Sequence, residues 1–215
     1  MTEHAPMTTR RPATSGPSEV AIVATGTANL AAVEAAFRRI GVTPRVTTDA
    51  EEIGGVDHLV LPGVGAFRAA REALGPGISE ALAARIREGR PTLGVCLGLH
   101  LMCEESEESP GVAGLGVVGG RVGRFGEGAR VPQMGWNRVD PEPGVRLVRA
   151  GYAYFANSYR LTEAPAGWRI AWAEHDGRFV ASIERGAVLA CQFHPELSGG
   201  FGREILRRWL EAAPC

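Results

Sequence analysis

Short apolar runs alternate with helically spaced apolar residues along the first half of the chain. The run at residues 20–23 has the length of a buried strand, and residues 45–48 and 58–61 predict a second and a third strand. Between the first two, apolar residues from Leu30 to Ile40 recur at helical spacing, and Gly41 follows where a helix would end. Another helix is predicted over residues 78–86. Strands that alternate with helices in this way predict a mostly parallel sheet with helices on both faces.

The second half of the chain has a different pattern. Short β-like segments separated by glycines run from residue 111 to about 139. Residues 169–174 and 179–184 predict a hairpin around the turn at residues 175–177, and a strand at residues 188–192 precedes a C-terminal helix. We therefore predict an α/β fold, with a mostly parallel sheet flanked by helices and an added, smaller antiparallel or mixed β region.

The clearest chemical signal is the pentapeptide Gly94-Val95-Cys96-Leu97-Gly98. Apolar residues 91–95 lead into it and a helically spaced run at residues 99–105 leads out, which predicts a strand, a sharp turn at Cys96 and a helix. This is the nucleophile-elbow pattern with cysteine in place of serine. A helix N-terminus favours the thiolate, and the N–H of Leu97 would face a developing oxyanion. The alternative is a buried structural cysteine in an ordinary strand-to-helix turn.

The second signal is Gln192-Phe193-His194-Pro195-Glu196, which follows the last predicted strand. A thiol nucleophile needs a neighbouring base, and the base needs a third group that fixes its orientation. His194 and Glu196 are two residues apart, so in an extended segment they point the same way, and Pro195 stiffens the backbone between them. We predict a triad of Cys96, His194 and Glu196. A histidine packed for structural reasons is the alternative for His194 alone.

Composition places the chain among ordinary globular proteins. It has 215 residues, of which 45% are hydrophobic and 22% are charged, which allows one sizeable domain. Residues 1–18 are rich in Thr, Pro, Ser and Arg and hold almost no large apolar residues, so we predict a disordered tail there. The folded domain is predicted to span residues 19–215.

Charge and cysteine usage narrow the possible functions. The formal net charge of -1 gives no basic excess for binding nucleic acid or an anionic membrane, and no apolar run approaches the roughly 20 residues of a membrane span. The four cysteines, Cys96, Cys103, Cys191 and Cys215, lack metal or disulfide spacing, so we predict no metal and no cofactor. Cys103 and Cys191 are predicted core residues, and a free reactive thiol suits a reducing cytoplasm. We expect His58 to be solvated and without a role.

The two motifs together resemble those of class I, triad-type glutamine amidotransferases. Within that class, the chain resembles the glutaminase subunits of imidazole glycerol phosphate synthase (HisH), from about residue 20 to the C-terminus. Besides the elbow, the matching stretches are residues 61–67, 106–112, 132–137, 154–159 and 192–199. The blocks at residues 132–137 and 154–159 point to this subfamily in particular. The resemblance implies the flavodoxin-like fold of the class.

The resemblance implies a specific chemistry for the triad. Cys96 would attack the side-chain amide of L-glutamine and form a glutamyl thioester, which water would hydrolyse to glutamate. His194 would take the thiol proton and pass it to the departing ammonia, while Glu196 would hold His194. We therefore expect an enzyme, a glutaminase that uses a covalent cysteine intermediate.

The same resemblance implies roles for further residues in oxyanion and substrate binding. Backbone N–H groups of Gly63, Val64 and Leu97 would hold the oxyanion, and His100 and Gln192 would help to bind the substrate. In this family the residue at the position of His100 is usually glutamine. A histidine there keeps one hydrogen bond, and the alternative is that it only packs in the first turns of the helix.

A partner subunit is implied as well. In this family ammonia passes to a HisF-type (β/α)8-barrel synthase subunit in a heterodimer, which makes imidazole glycerol phosphate and aminoimidazole carboxamide ribotide in histidine biosynthesis. We expect Asn29, Met134, Trp136 and Asn137 to lie toward that partner. The alternative for Trp136 is an aromatic residue packed inside the smaller β region. We also expect little activity from the lone chain.

Two further departures from the family affect the predicted partner face and the triad segment. The family usually begins its first turn with Asp-Tyr-Gly-x-Gly-Asn, whereas residues 24–29 are Ala-Thr-Gly-Thr-Ala-Asn. Leu197 follows Glu196, where the family often has a cation. Neither change removes a triad member.

Two other functions remain open from the sequence. One is a scaffold subunit that kept the fold but lost efficient hydrolysis, and the other is a triad amidotransferase that serves another acceptor, such as one in vitamin B6 synthesis. The intact set of Cys96, His194 and Glu196 favours an enzyme over a scaffold. The block at residues 132–137 favours histidine synthesis over vitamin B6.

Overall fold

The computed structural model describes residues 19–26 and 29–212, so the predicted tail at residues 1–18 and Cys215 lie outside the described residues. The strands are β1 (Val20–Val23), β2 (Arg45–Thr47), β3 (His58–Leu61), β4 (Thr92–Val95), β5 (Glu105–Ser106), β6 (Arg121–Arg124), β7 (Gln133–Pro141), β8 (Gly151–Asn157), β9 (Tyr159–Arg160), β10 (Arg169–Glu174), β11 (Arg178–Arg185) and β12 (Val188–Cys191). The helices are α1 (Leu30–Arg38), α2 (Ala50–Gly55), α3 (Phe67–Arg87), α4 (Leu97–Met102) and α5 (Gly199–Glu211).

One large sheet organises the described residues. Its nine strands follow the order β2-β1-β3-β4-β12-β11-β10-β7-β8. The first five are parallel to one another, and the remaining four continue the sheet with antiparallel pairings. A second, three-stranded sheet holds β5, β6 and β9. The predicted α/β fold with an added antiparallel and mixed β region is confirmed.

The four inner parallel strands, β1, β3, β4 and β12, are buried on both faces, whereas the edge strand β2 is largely exposed. Ile22 and Val60 belong to the hydrophobic cluster on the side of α1 and α5, whereas Ala21 and Leu59 belong to the cluster on the side of α2, α3 and α4. Successive strand residues point to opposite faces, so a strand covered on both sides must be apolar throughout. This is why the inner strands appear in the sequence as largely apolar runs.

The helix after the elbow is shorter than predicted. It spans Leu97–Met102 instead of residues 99–105. The loop that follows returns to its end: the N–H of Leu115 donates to the carbonyl of Leu101 at 2.7 Å, and the N–H of Val117 donates to that of Met102 at 3.0 Å. Tertiary hydrogen bonds to these last carbonyls end the helix where its apolar spacing alone would have continued it.

The prediction that His58 is solvated is wrong. It is the first residue of β3 and is only 6% exposed, and its ring packs edge-on against Trp209 of α5 at 5.0 Å between centroids. Burial lowers the pKa of His58. The preceding residue, Asp57, stays exposed as expected. Helix α5 covers this end of the strand, which the local sequence around His58 does not reveal.

The register of the central strands determines where the predicted site forms. Strands β4 and β12 are parallel neighbours, with Val95 paired to Cys191. The N–H of Cys96 extends this ladder by donating to the carbonyl of Cys191 at 2.7 Å. The segments that follow β4 and β12 therefore leave the sheet side by side, at the carboxyl edge where ligands bind in open α/β sheets. No described helix combines the length and the apolar character that crossing a membrane requires.

Candidate active site

Cys96 occupies a strained position between β4 and α4. Its backbone φ of 49° and ψ of -104° lie outside the regions that side-chain-bearing residues usually adopt. The residue precedes the first turn of α4, as the elbow pattern predicts. The turn lifts the side chain above the sheet edge and places the sulfur near the N-terminal N–H groups of the helix.

The glycines that flank Cys96 allow close approach of neighbouring elements. A Cβ on Gly98 would lie 2.1 Å from the carbonyl oxygen of Leu61 in β3, and a Cβ on Gly94 would lie 3.1 Å from the Cβ of Ala190 in β12. The first distance is impossible for a side chain, and the second is tight. Both glycines therefore let the elbow pack closely against the adjacent strands, and a side chain at Gly98 would clash outright.

His194 and Glu196 follow β12 and form a short hydrogen bond. His194 Nδ1 lies 2.8 Å from Glu196 Oε1, and the two side chains are 4% and 7% exposed. The N–H of His194 donates to the carbonyl of Tyr154 at 2.9 Å, and Glu196 lies in a 3-10 turn at Pro195–Leu197. The carboxylate fixes the ring so that its other nitrogen, Nε2, is free to act on the sulfur.

Cys96 and His194 line the same cavity and Glu196 binds His194 from behind, so the structure brings the three predicted triad residues together. Burial disfavours a charged ring, but hydrogen bonds and charge interactions with Cys96 and Glu196 outweigh it and raise the pKa of His194 to about 10. A ring held in this way by a carboxylate is suited to take the proton of the neighbouring thiol, as the base of a cysteine nucleophile does.

A cavity of about 470 Å³ opens directly above Cys96. Its wall is formed by Val64, Gly65, Cys96, Leu97, His100, Glu108, Pro132, Met134, Tyr154, Ala156, Asn157, Ser158, Tyr159, His194 and Leu197. The volume suits a small polar molecule such as an amino acid. No cluster of three or more His, Cys, Asp or Glu side chains within the described ranges is arranged to bind a metal.

Comparison with known proteins identifies the family. The model for glutamine amidotransferase class-I domains matches residues 23–213. The imidazole glycerol phosphate synthase subunit HisH of Methanothermobacter thermautotrophicus is 41% identical over 195 residues, which cover 89% of this chain and 98% of that protein. The HisH subunit of Geobacillus kaustophilus is 38% identical over 90% of this chain and 97% of its own length.

The chain belongs to the class I glutamine amidotransferase family, and within it to the HisH subunits. A solved glutamine amidotransferase structure covers 89% of this chain at a TM-score of 0.70 and 23% identity. The structure of PurLQS from Thermotoga maritima covers 91% of it, also at 0.70, with 14% identity. At such identities the structural likeness shows the shared fold alone.

The predicted oxyanion residues of this amidotransferase lie together, but one donor is already engaged. The N–H of Leu97 donates to the carbonyl of Gly63 at 3.4 Å. The two backbones are in close contact, since a Cβ on Gly63 would lie 2.6 Å from the Cβ of Leu97. Val64 lies at the cavity rim and is 36% exposed. In this arrangement a carbonyl oxygen occupies the donor that an oxyanion would need.

The two predicted substrate-binding residues take different positions in the amidotransferase fold. His100 of α4 lines the cavity but is only 4% exposed, and its Nε2 lies 2.8 Å from Gln192 Oε1. Gln192 is fully buried and is not part of the cavity wall; its Nε2 lies 3.6 Å from Cys96 Sγ. Gln192 therefore contacts the nucleophile from inside the protein.

Sequence reasoning gave Glu108 no role, yet its side chain lines the cavity with Cys96. Burial raises the pKa of Glu108, while a backbone hydrogen bond at Phe67 opposes that rise. A lone carboxylate in a small cavity is a natural partner for the α-ammonium group of an amino acid. The sequence signal that could have pointed to Glu108 is its position in the stretch at residues 106–112, which matches the family.

The predicted partner residues are spread over two elements. Met134 and Trp136 of β7 are 68% and 58% exposed, which excludes the alternative that Trp136 is packed inside the β region. Asn137 donates through its side-chain amide to the carbonyl of Glu174 at 2.8 Å. Asn29 caps α1 by accepting the N–H of Ala32 at 3.2 Å. Of the four, only Met134 lines the cavity over Cys96.

Proposed function

We infer that this chain is the glutaminase subunit of an imidazole glycerol phosphate synthase, which hydrolyses L-glutamine and delivers ammonia to a barrel subunit for histidine biosynthesis. The observation that carries this inference is that Cys96 and His194 line one amino-acid-sized cavity while Glu196 holds His194 by a hydrogen bond of 2.8 Å. HisH relatives that match nearly the full length of the chain support the pathway.

The geometry supports a covalent mechanism. The Cys96 thiolate attacks the carboxamide carbon of glutamine, and the resulting oxyanion collapses to a thioester as the C–N bond breaks. His194, held by Glu196, gives its proton to the leaving nitrogen, so that ammonia departs neutral. The same ring then removes a proton from water, which attacks the thioester. Glutamate leaves, and the Cys96 sulfur returns to its starting state.

We propose that Glu108 binds the α-ammonium group of the substrate and that the cavity residues around Tyr159 contact its carboxylate end. Glu108 is the one acidic residue among those that form the cavity wall. A substrate held at its amino-acid end places its amide over Cys96. Replacement of Glu108 by Gln would then raise KM for glutamine more than it lowers kcat.

We also propose that the exposed apolar residues beside the cavity bind a HisF-type (β/α)8-barrel subunit. Met134, Trp136 and Leu197 are large, apolar and well exposed, and both Met134 and Leu197 line the mouth of the cavity. A partner on this face would cover the cavity and receive the released ammonia without loss to water. In Arabidopsis thaliana a protein named imidazole glycerol phosphate synthase hisHF carries the matching region within 35% of its length.

The hydrogen bond between the N–H of Leu97 and the carbonyl of Gly63 supports the expectation that the free chain has low activity. As long as the Gly63 carbonyl accepts the N–H of Leu97, a tetrahedral intermediate lacks this donor. Turning the peptide after Gly63 would remove the carbonyl and bring an N–H in its place. We propose that the loaded barrel subunit favours this second arrangement.

The test is release of glutamate by the purified chain, with and without a HisF-type subunit loaded with its nucleotide ligand. We expect slow release from the chain alone and a large increase with the loaded partner. Cys96→Ala should lower turnover by on the order of 10⁴-fold or more while the two subunits still co-purify at equal stoichiometry. Equal activity in Cys96→Ala, or no complex with the barrel, would contradict the proposal. Free ammonia should support the barrel reaction without this chain.

A further inference from the structure

Gln192 forms a buried link between α4 and the nucleophile. It is fully buried directly after β12, and its backbone N–H donates to the carbonyl of Ala181 at 2.8 Å, so its main chain is fixed in the sheet. Its side-chain amide reaches His100 at one end and Cys96 at the other. These two contacts involve opposite ends of the same amide group, so they are coupled.

The contact with His100 fixes which end of the amide faces the sulfur. Gln192 Oε1 lies 2.8 Å from His100 Nε2, and an amide oxygen can only accept. Burial lowers the pKa of His100 to about 4, against the opposing hydrogen bond with Gln192, so the ring is neutral at physiological pH and carries its proton on Nε2. The amide NH2 group of Gln192 is thereby directed at Cys96.

The sulfur has both donor and acceptor neighbours. Gln192 Nε2 lies 3.6 Å from Cys96 Sγ, a suitable length for an N–H···S hydrogen bond, whereas the carbonyl oxygen of Ala156 lies 3.9 Å away. The carbonyl can only accept, so it favours the protonated thiol. The amide donates, so it favours the thiolate, because a hydrogen bond to an ion is stronger than one to a neutral group.

We propose that His100 and Gln192 are positioning residues whose hydrogen-bond relay ends on Cys96, holds its sulfur and favours its thiolate form. This deepens the proposed glutaminase function and rests on it. Gln192 is fully buried and does not line the cavity, so it donates to the sulfur without occupying the space of the substrate. A glutamine at position 100 could present either end of its amide to Gln192, whereas the neutral histidine ring, with its proton on Nε2, presents only a donor.

His100 itself does not set the pH dependence in this relay. A protonated ring would still donate from Nε2, so the relay persists across the range in which His100 titrates. The groups that face the sulfur and can change charge are His194 beside it, Glu196 behind His194, and Glu108, Tyr154 and Tyr159 in the cavity wall. The pH dependence of any reaction at the sulfur should therefore reflect the pairing of Cys96 with His194, and removal of the Gln192 donor should displace it.

The test is alkylation of Cys96 by iodoacetamide in the full chain between pH 5 and 9.5, quantified at this residue by mass spectrometry. Gln192→Leu should raise the midpoint of alkylation by about one pH unit, since a hydrogen bond to a charged group contributes about that much. Gln133→Leu is the matched control: Gln133 is also buried, and its Oε1 has no hydrogen-bond partner. It should leave the midpoint unchanged.

Further variants test the orientation of the amide. Gln192→Glu places a carboxylate oxygen toward the sulfur, so it should raise the alkylation midpoint more than Gln192→Leu does. The glutamate variant also keeps the test usable if the leucine variant does not fold. His100→Phe should raise the midpoint by a smaller amount, and His100→Gln should restore part of the difference. Cys103 and Cys191 serve as unreactive references, since burial raises the pKa of Cys103 to about 12 and that of Cys191 well above its usual value.

Kinetics with the barrel subunit separate positioning from substrate binding. The relay predicts that Gln192→Leu lowers kcat about tenfold and leaves KM for glutamine within about twofold. An unchanged alkylation midpoint in both Gln192 variants would overturn the relay, as would a raised KM with an unchanged kcat. Alkylation needs no glutamine hydrolysis, so a shifted midpoint in a chain without glutaminase activity would sustain the relay and reject the proposed function instead.

Discussion

The carboxyl edge of β4 and β12 and the β7–β8 hairpin face the same cavity but are stabilised differently. At the sheet edge, Cys96 and His194 are 7% and 3% exposed and lie on segments that extend a parallel ladder. In the hairpin, β7 pairs with β8 along its length but with β10 at only two positions, and Met134 and Trp136 lie open. The first region is completed by the chain's own packing, whereas the second leaves a large apolar surface without cover.

The two regions are joined at Tyr154 of β8. Its carbonyl accepts the N–H of His194, and its own N–H donates to the hydroxyl of Ser198 at 2.9 Å. On the outer side, its ring contacts that of Trp136 at 6.3 Å between centroids. Changes at the sheet edge should therefore affect chemistry or folding, and changes on the hairpin surface should affect association. The following predictions test that division.

The largest effect is expected at the triad carboxylate. Glu196→Gln removes the charge that holds His194 and stabilises its protonated ring, so kcat should fall by about 10²- to 10⁴-fold. Steady-state glutamate release by the loaded complex measures it. Glu204→Gln on the outer face of α5 is the control, since its side chain is 53% exposed. Activity of Glu196→Gln within a few-fold of wild type would reject the role of Glu196.

The next effect is on stability at the elbow. Gly98→Ala would place a Cβ 2.1 Å from the Leu61 carbonyl, so it should lower the free energy of unfolding by about 3 kcal/mol or more. Gly119→Ala makes the same change where no atom lies within 4 Å of the added Cβ, and should cost less than about 1 kcal/mol. Urea unfolding measures both, and equal stabilities would show that β3 does not constrain the elbow.

A smaller effect is expected on the hairpin surface, and only in the complex. Trp136→Ala should change the stability of the free chain by less than about 0.5 kcal/mol, because the ring is 58% exposed. Its affinity for the barrel subunit should fall about 30-fold, as for an aromatic residue at the centre of an interface. Isothermal titration calorimetry measures the affinity, with Val46→Ala on the distant β2 edge as control. Unchanged affinity would place the interface elsewhere.

The smallest effect is a pH dependence at the opposite end of the sheet. The folded-state pKa of His58 lies below its unfolded value, so the unfolded chain binds a proton first and stability is lost as pH falls below about 6.5. His58→Phe keeps an aromatic ring against Trp209 and removes this loss. The difference from wild type should grow by about 1 kcal/mol between pH 7 and 5. His100 and His194 are present in both proteins, so their contributions to the pH dependence of stability cancel in the difference.

Urea unfolding at the two pH values measures the change. The same substitution at His175 is the control, because that residue lies at the β10–β11 turn and its ring stays partly accessible to water. A pH dependence that is identical in wild type and His58→Phe would contradict the prediction.

Local patterns were sufficient for the elbow and for the segment that carries His194 and Glu196. A nucleophile between two glycines requires only a few neighbouring residues. The predicted pairing of His194 with Glu196 is present, but the backbone that orients it is a 3-10 turn at Pro195–Leu197 and not the extended segment expected. The hairpin at β10 and β11 followed from its alternation and its turn residues in the same way. These features arise from short-range sterics and periodicity.

Other parts of the site depend on contacts between distant segments. Gln192 meets His100 across 92 positions in the chain, and Glu108 enters the cavity from the loop before β6. The early end of α4 and the burial of His58 likewise depend on what packs against them. No local spacing encodes such contacts.

The sequence by itself determined the alternation of strands and helices in the first half of the chain, the sharp turn at Cys96 and the pairing of His194 with Glu196. Each of these depends on backbone preferences and side-chain periodicity over a few residues. Only the tertiary structure decided which atoms surround the sulfur, which backbone carbonyl engages Leu97 and which apolar side chains stay uncovered on β7. These follow from the parallel register of β4 and β12 and from the packing around it, because both bring together residues that are far apart in the chain.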